Sequence, residues 1–293
     1  VFGKPALREI NGLSYRNSDK EDFVVNSKRI AFKSLQDIPS PYLMGVVDQD
    51  VLARKKVEAN IETQRGCTLR CSYCIYHKDM NKIAYNDIDR TIKEVQYVVD
   101  RGVKYVRFVD ANFSSKLDHA KAVMRKMIAK NFELKVMFEL IPGFIDDELA
   151  SLFAKFNALF AWNDIILGIG VQSINIESLR LMRRAIKIEK FERTFELLKK
   201  YRLYGKIDLI IGLPGEDIHA IERTIEYFME TLRGNQDHLL CCHVLRGLPG
   251  TELLEIAQKY NVEFTSRYEP HEIYSSPLLP REDLLKCLRR TAV

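Results

Sequence analysis

The pattern of hydrophobic positions changes its period several times along the chain. From Ile88 to Val99 apolar residues recur at the spacing of an amphipathic helix, and Asp87 stands where an N-cap is expected. The next stretch, VKYVRFVD at residues 103–110, is rich in β-branched and aromatic residues, which is typical of a strand. These neighbouring patterns predict a helix followed by a strand.

The same alternation of strand and helix patterns continues to about residue 260. Strict alternation predicts a parallel sheet with right-handed crossovers, in either a doubly wound sheet or a barrel. Six parallel strands can curl into an incomplete barrel, and in both architectures ligands bind beyond the carboxyl ends of the strands. The predicted strands cover residues 56–63, 103–110, 133–140, 164–172, 205–212 and 238–245, and the predicted helices cover 87–102, 116–130, 146–156, 190–201, 217–233 and 251–260.

The ends of the chain depart from this alternation. Its first part predicts two short strands around a polar turn, followed by an extended stretch with two prolines. We therefore predict an N-terminal connector at residues 1–52, a strand–helix domain at 53–260 and a C-terminal tail at 261–293. The chain begins with Val rather than Met, so we expect it to be a piece of a longer polypeptide or a trimmed one.

Composition narrows the class of protein. The 293 residues are 46% hydrophobic and 29% charged, which is typical of a globular protein with a sizeable core. No apolar run approaches the roughly 20 residues that span a membrane, so we expect no membrane partner. The net charge of +5 is spread along the chain, which favours a solvated surface over an anionic partner. The six cysteines form a poor disulfide framework, so we expect a reducing cytoplasm.

Polar or glycine-rich residues follow nearly every predicted strand. Because the carboxyl ends of parallel strands share one edge of a sheet, we expect these residues to surround a single large site. They are Thr63 to Cys74, Asp110 with Asn112, Glu139, Gln172 with Ser173, Gly212 to Glu216, and residues 246–251.

Three of the cysteines lie within eight residues in the stretch IETQRGCTLRCSYC. Cys67, Cys71 and Cys74 are spaced Cys-x3-Cys-x2-Cys, which is one ligand short of a closed structural zinc site. Three thiolates can instead hold three irons of a cubane and leave the fourth iron open to a substrate. The alternatives are a zinc site completed by His77 or His243, or cysteines that are near each other by chance. The spacing favours an iron–sulfur cluster.

The motif RGCTLRCSYC resembles the signature of the radical S-adenosylmethionine (radical SAM) superfamily, and the resemblance extends over nearly the whole chain. It implies an α/β fold, an open partial (β/α)6 barrel of the TIM type. It also implies that Cys67, Cys71 and Cys74 ligate a 4Fe–4S cluster. The amino and carboxylate groups of S-adenosylmethionine would occupy the fourth iron.

The same resemblance assigns candidate residues near the first three strands to S-adenosylmethionine. Tyr73, between the last two cysteines, would lie near the adenine. Asp110 and Asn112 in FVDANF stand where the family often has a Gly-Gly-Glu stretch, which receives the methionine amino group. Glu139 is a further candidate for cofactor binding, although a strand-end carboxylate can also cap a neighbouring helix.

The last strands supply further candidates by resemblance. Gln172 and Ser173 in IGVQS are similar to a segment that contacts the ribose or the carboxylate. One of the two arginines in LMRRA, which we predict to lie on a helix, would pair with the methionine carboxylate, and Arg184 is preferred. The stretch DLIIGLPGED, which contains Gly212 and Pro214, is similar to a segment whose backbone holds the adenine, and glycine would allow close approach there.

A closer resemblance includes the N-terminal stretches INGLSYR and DIPSPYL. These are similar to the connector in radical enzymes that carry an N-terminal cobalamin-binding domain, and that domain is not part of this sequence. Cobalamin is therefore a possible cofactor that this chain alone does not support, and we expect no tight binding of cobalamin by this polypeptide.

The implied reaction is one-electron cleavage of S-adenosylmethionine, with the electron delivered by a donor such as flavodoxin or ferredoxin. The resulting 5′-deoxyadenosyl radical would abstract a hydrogen atom from a small-molecule or peptide substrate. The alternatives are cobalamin-dependent methyl transfer, aminocarboxypropyl transfer by cleavage of a different carbon–sulfur bond, and a zinc-stabilised binding module without turnover. An RNA substrate is disfavoured because the tail after Tyr260 is short.

Overall fold

Six strands form one parallel sheet whose order follows the chain. The computed structural model describes residues 6–16, 22–29, 34–54, 57–76, 82–184, 187–233, 238–265 and 271–291. The strands are β1 (Ser14–Arg16), β2 (Phe23–Val25), β3 (Glu58–Ile61), β4 (Gln64–Arg65), β5 (Ala84–Tyr85), β6 (Tyr105–Phe108), β7 (Lys135–Leu140), β8 (Asp164–Gln172), β9 (Tyr204–Ile211), β10 (His238–Val244), β11 (Glu263–Phe264) and β12 (Ile273–Ser275).

The order within the large sheet is β10-β9-β8-β7-β6-β3, and every neighbouring pair is parallel. Each strand therefore lies beside the one that precedes it in the strand–helix series. No pairing joins β3 to β10 in the part of the chain that the structure describes, so the sheet remains open. This confirms the α/β fold with a parallel (β/α)6 arrangement.

The helices of the described residues are α1 (Gln49–Leu52), α2 (Ile88–Val99), α3 (Leu117–Ala129), α4 (Asp147–Asn157), α5 (Ile176–Leu181), α6 (Ile188–Tyr201), α7 (Ile218–Thr231), α8 (Leu253–Lys259) and α9 (Arg281–Thr291). Of these, α2, α3, α4, α6, α7 and α8 follow the predicted series, whereas α1, α5 and α9 lie outside it.

The predicted start of α2 is confirmed in detail. The Asp87 side chain accepts a hydrogen bond from the backbone N–H of Arg90, which would otherwise lack a partner in the first turn. Ile92, Val95 and Val98 are buried on the face that packs on the core. The apolar period of the sequence therefore sets both the helix and the side that it buries.

The hydrophobic core lies between the sheet and the surrounding helices. The rings of Phe108 on β6 and Phe138 on β7 stack at 4.8 Å, and Phe153 on α4 stacks on Phe138 at 5.5 Å. Along β9, buried and half-buried residues alternate strictly, and the buried set belongs to this core. The opposite, inner face of β9 carries Lys206 and Asp208. Polar groups are thus directed to the concave side of the sheet.

Several elements were not predicted from the sequence. β4 and β5 pair antiparallel on either side of the cysteine loop, and β11 pairs with β12. The two arginines of LMRRA follow the end of α5 and do not lie on a helix, so that prediction was wrong. Arg183 there has a positive φ of 51°. Within the described residues, no helix has both the length and the apolar character needed to cross a membrane.

The C-terminal residues pack into the same core as the barrel strands. Leu279, Leu284 and Cys287 are buried there. The backbone N–H of Ile273 donates to the carbonyl of Leu245 at 2.9 Å, which ties β12 to the end of β10. The boundary of a separate tail after residue 260 stays a prediction.

Candidate active site

The loop that carries Cys67, Cys71 and Cys74 is fixed at its centre by backbone hydrogen bonds. The N–H of Ser72 donates to the carbonyl of Met182 at 3.0 Å, and the N–H of Leu253 donates to the carbonyl of Ser72 at 2.9 Å. The segment after α5 and the start of α8 thus hold the loop from two sides. These bonds do not involve the cysteine sulfur atoms.

Asp110, at the end of β6, fixes the start of the same loop. Its Oδ1 accepts hydrogen bonds from the backbone N–H groups of Thr63 and Gln64, both at 2.8 Å. Its Oδ2 accepts one from the Thr63 hydroxyl at 2.7 Å. Both oxygens are therefore engaged with the segment after β3. The predicted contact of Asp110 with a methionine amino group would have to use its remaining lone pairs.

All three clustered cysteines line one cavity of ≈350 Å³ at the carboxyl ends of the first four strands of the sheet. Most of the predicted site residues meet there, although they come from four different strand ends and from the segment after α5. Those that line the cavity are Cys67, Cys71, Cys74, Tyr73, Asp110, Glu139, Gln172 and Arg184.

Four predicted site residues do not line this cavity: Asn112, Ser173, Gly212 and Pro214. The Ser173 hydroxyl donates to Glu216 Oε1 at 2.5 Å and so joins the ends of β8 and β9. Asn112 is fully buried, and its Oδ1 accepts from the N–H of Ile141 at 3.1 Å. Their roles in cofactor binding stay predictions.

Gly212, which directly follows β9, is covered by the C-terminal segment. Gly212 has a φ of 89°, and an added Cβ would meet side-chain atoms of Ile273 at 3.0 Å. Pro214 is buried beside it. The space beside the Gly212 backbone, which was expected to be open for adenine, is therefore filled on that side by Ile273 of β12.

Arg184 is the buried cation of the cavity. Its Nη1 donates to Cys71 Sγ at 3.4 Å, and its Nη2 donates to the carbonyl of Gly170 on β8. The guanidinium thus joins the cysteine loop to the fourth strand of the sheet. The predicted pairing with a methionine carboxylate stays untested.

Glu139 lies half-buried on the cavity wall and accepts no hydrogen bond from the described residues through its carboxylate. Burial raises the pKa of Glu139, and the nearby Asp208 carboxylate raises it further. Gly168 on the adjacent strand makes room for this side chain, since an added Cβ would lie 2.5 Å from Glu139 Oε2. Glu139 therefore offers an unused acceptor to a bound group.

A second set of polar residues continues along the inner face of β9 and β10. Asp208 Oδ1 lies 2.5 Å from Lys206 Nζ and 2.7 Å from His243 Nε2. Cys241 is paired in register with Asp208 on this face, whereas Cys242 packs against the hydrophobic core. The sheet therefore separates the two adjacent cysteines, as strand alternation predicts.

The zinc alternatives gain no support from this geometry. His243 is bonded to Asp208, and His77 lies outside the described residues. Within the described ranges, no three Cys, His, Asp or Glu side chains are grouped to hold a single metal ion. A cubane binds each thiolate at a different iron, so its ligands are spaced more widely than those of one zinc ion.

The surroundings of the three thiols fit a 4Fe–4S cluster. Burial raises the pKa of the Cys67 thiol, and the neighbouring Cys71 and Cys74 thiols raise it further, so binding iron would have to displace protons. The N–H of Tyr76 donates to Cys74 Sγ at 3.4 Å. Among the described residues, two buried polar atoms have no hydrogen-bond partner here, Arg184 Nε and the hydroxyl of Ser72, which adjoins Cys71 in the chain. A cluster with its sulfide acceptors would meet such donors.

Two of the cavity residues that were not predicted from the sequence are polar, Tyr76 and Arg107. The Tyr76 hydroxyl donates to the carbonyl of Val109 at 2.8 Å, which closes the cavity over the end of β6. Arg107 lies on the inner face of β6 and bonds Glu58 at 2.8 Å. Strand alternation back from Val109 could have placed Arg107 on this face. Nothing in the local pattern distinguishes Tyr76 from a surface aromatic residue.

Known proteins are similar to this chain over most of its length. The sequence profile of the Radical SAM superfamily matches residues 61–228, which is more than half of the chain. The chain is similar to the tRNA-2-methylthio-N(6)-dimethylallyladenosine synthase of Buchnera aphidicola subsp. Cinara cedri (strain Cc), with 23% identity over 244 residues, 79% of this chain and 53% of the relative.

A second relative is the cobalamin-dependent radical SAM methyltransferase TokK of Streptomyces tokunonensis. It is 26% identical over 266 residues, 81% of this chain and 37% of TokK. The chain thus spans about half the length of these curated relatives, or less. Among solved structures, the cobalamin-dependent S-adenosylmethionine radical enzyme OxsB with aqua-cobalamin bound superposes with a TM-score of 0.69. That match has 14% identity and covers 97% of this chain and 47% of OxsB, which shows a shared fold.

Proposed function

Because the chain belongs to the radical SAM superfamily, whose members are enzymes that use a 4Fe–4S cluster and S-adenosylmethionine, we propose that it initiates radical chemistry on a small-molecule or peptide substrate. When bound, the cluster supplies the electron that cleaves a carbon–sulfur bond of S-adenosylmethionine. The observation that carries the proposal is the convergence of Cys67, Cys71 and Cys74 on one cavity beside a buried arginine.

The residues of this chain have separate tasks in the proposed reaction. Cys67, Cys71 and Cys74 hold the cluster. Asp110 keeps the cysteine loop in place through its three hydrogen bonds. Glu139, with its unused carboxylate, accepts a donor group of S-adenosylmethionine or of the substrate. The inner face of the open sheet beyond Glu139 is polar, which supports a polar substrate over a hydrocarbon one.

The cluster is tested by anaerobic reconstitution with iron and sulfide. We expect a brown protein with about four irons per chain, and we expect Cys71→Ala to lose them because two thiolates cannot hold the cubane. Cys241→Ala is the matched control, since Cys241 lies on the inner face outside the cysteine cavity. A colourless protein that binds one zinc with or without Cys71 would instead support the binding module.

The product formed under a reductant tests the reaction type. 5′-Deoxyadenosine is expected from hydrogen abstraction. 5′-Methylthioadenosine would instead indicate aminocarboxypropyl transfer, because a different carbon–sulfur bond is then broken. S-Adenosylhomocysteine would indicate methyl transfer. A reducing cytoplasm with flavodoxin or ferredoxin as the electron donor is the proposed setting, and nucleic acid is disfavoured as a substrate.

Cobalamin-dependent methyl transfer is the second candidate function. It is supported by the similarity to TokK and by the OxsB match, which covers nearly the whole chain, N-terminal residues included. We expect this polypeptide alone not to retain hydroxocobalamin after desalting, as judged from the visible spectrum. Stoichiometric retention of the corrinoid would contradict that expectation and make methyl transfer the leading function.

A further inference from the structure

The side chain of Arg184 is enclosed beside the cysteine loop. The residue is 7% exposed, and its two terminal nitrogens donate to Cys71 Sγ and to the carbonyl of Gly170. The third donor, Nε, has no acceptor among the described residues. The guanidinium is therefore held in one orientation, and its Nε–H remains available to an acceptor.

The fold makes specific room for this side chain. An added Cβ at Gly170 would lie 3.1 Å from Arg184 Nη2 and 2.8 Å from Gln172 Nε2. The left-handed backbone of Arg183, with φ 51°, turns the chain so that Arg184 points inward. Arg183 itself stays at the surface, where it pairs with Glu252 at 2.6 Å.

The groups that can balance the charge of Arg184 lie on the cysteine loop. In the part of the chain that the structure describes, no carboxylate forms an ion pair with Arg184. The acidic groups that act on the guanidinium are Tyr73, Cys71 and Cys67. A buried cation is costly unless an anion is placed beside it. Thiolates that bind iron would supply that negative charge permanently.

We propose that Arg184 is a positioning residue that raises the reduction potential of the cluster held by Cys67, Cys71 and Cys74. This inference rests on the proposed function. A reduced cluster carries one more negative charge than an oxidised cluster. A fixed cation and an N–H···S hydrogen bond beside it therefore favour the reduced form, and burial magnifies the effect.

The test is an EPR-monitored redox titration of the reconstituted protein without S-adenosylmethionine. For Arg184→Gln we expect the equilibrium constant for one-electron reduction to fall at least tenfold, which lowers the midpoint potential by 59 mV or more. Arg184→Lys keeps the positive charge but loses the two-pronged guanidinium. Its midpoint potential should therefore lie between those of the wild-type protein and Arg184→Gln. Arg183→Gln removes a neighbouring but exposed charge and should leave the potential unchanged.

The outcomes separate this inference from the function on which it rests. Absence of any iron–sulfur signal in the wild-type protein would overturn both. A normal cluster with the same potential in wild type and Arg184→Gln would overturn the inference alone. So would a loss of S-adenosylmethionine affinity at unchanged potential, because Arg184 would then serve the methionine carboxylate. If Arg184→Gln retains too little iron, Arg184→Lys decides: a lowered potential supports the inference, and a wild-type potential overturns it.

Discussion

Two carboxylic acids at strand ends, Asp110 and Glu216, are buried without a cation beside them in the described structure. They are 1% and 2% exposed. Burial raises the pKa of each to about 7, although hydrogen bonds from Thr63 and Gln64 to Asp110, and from Ser173 to Glu216, oppose the rise. Each of these side chains therefore fixes its strand end through hydrogen bonds, although burial disfavours its ionised carboxylate form.

This pair predicts how stability depends on pH. Both folded pKa values lie above the unfolded values of about 4, so the folded chain binds protons that the unfolded chain releases. The stability that the two groups contribute is present below about pH 4 and is lost as the pH rises through about 7. Asp110→Asn removes one of these titrations and should flatten the decline in the free energy of unfolding. Chemical denaturation of the wild-type protein and of Asp110→Asn at a series of pH values measures the free energy of unfolding.

Glu216→Gln should flatten the profile in the same way, and the double variant should flatten it further. Parallel profiles for wild type and both single variants would show that these groups do not titrate between pH 4 and pH 7.

At the scale of elements, one buried amide joins three segments at the amino ends of the strands. Asn163 Nδ2 donates to the carbonyls of Phe132 and Phe156, both at 3.0 Å, and its Oδ1 accepts from the N–H of Leu134 at 2.9 Å. The Asn163 side chain, in the loop before β8, thus supplies hydrogen-bond partners to backbone groups in the loop before β7 and at the end of α4.

Replacing this amide should destabilise the fold. In Asn163→Ala three buried backbone groups lose their partners, and each costs about 1–3 kcal/mol. We expect the free energy of unfolding to fall by roughly 3 kcal/mol or more, measured by denaturant unfolding. Asn157→Ala, at the end of α4, is the control, because Asn157 Oδ1 has no hydrogen-bond partner in the described structure. Equal losses in the two variants would contradict the bridging role.

The long elements could be predicted from the sequence because each has a sustained apolar period. The pairs β4–β5 and β11–β12 were not predicted, because two or three residues are too few to show a period. The strands β1 and β2 are equally short, and they were predicted from the polar turn between them. The same limit applies to the site. Strand ends located the candidate residues, but a register shift after Gly170 and the φ of 77° at Gln172 decide which side chain faces the cavity. Ser173 is turned toward Glu216 by this local geometry.

For the whole molecule, the C-terminal segment completes the core of the barrel. Leu284 on α9 is fully buried, whereas Leu278, a few residues before it, is 54% exposed. Leu284→Ala should lower the free energy of unfolding by about 2–5 kcal/mol, because a cavity remains in the core. Leu278→Ala should change it by less than about 0.5 kcal/mol. If the segment were a detached tail, both substitutions would be equally mild in thermal and chemical unfolding.

The hydrogen bonds at Ser72 have a consequence for maintenance of the enzyme. Its N–H and carbonyl bind Met182 and Leu253, so hydrogen bonds within the polypeptide help to hold the cysteine loop whether or not iron is bound. After oxidative loss of iron these hydrogen bonds would remain, so a repair system could insert a new cluster into the same chain without new protein synthesis.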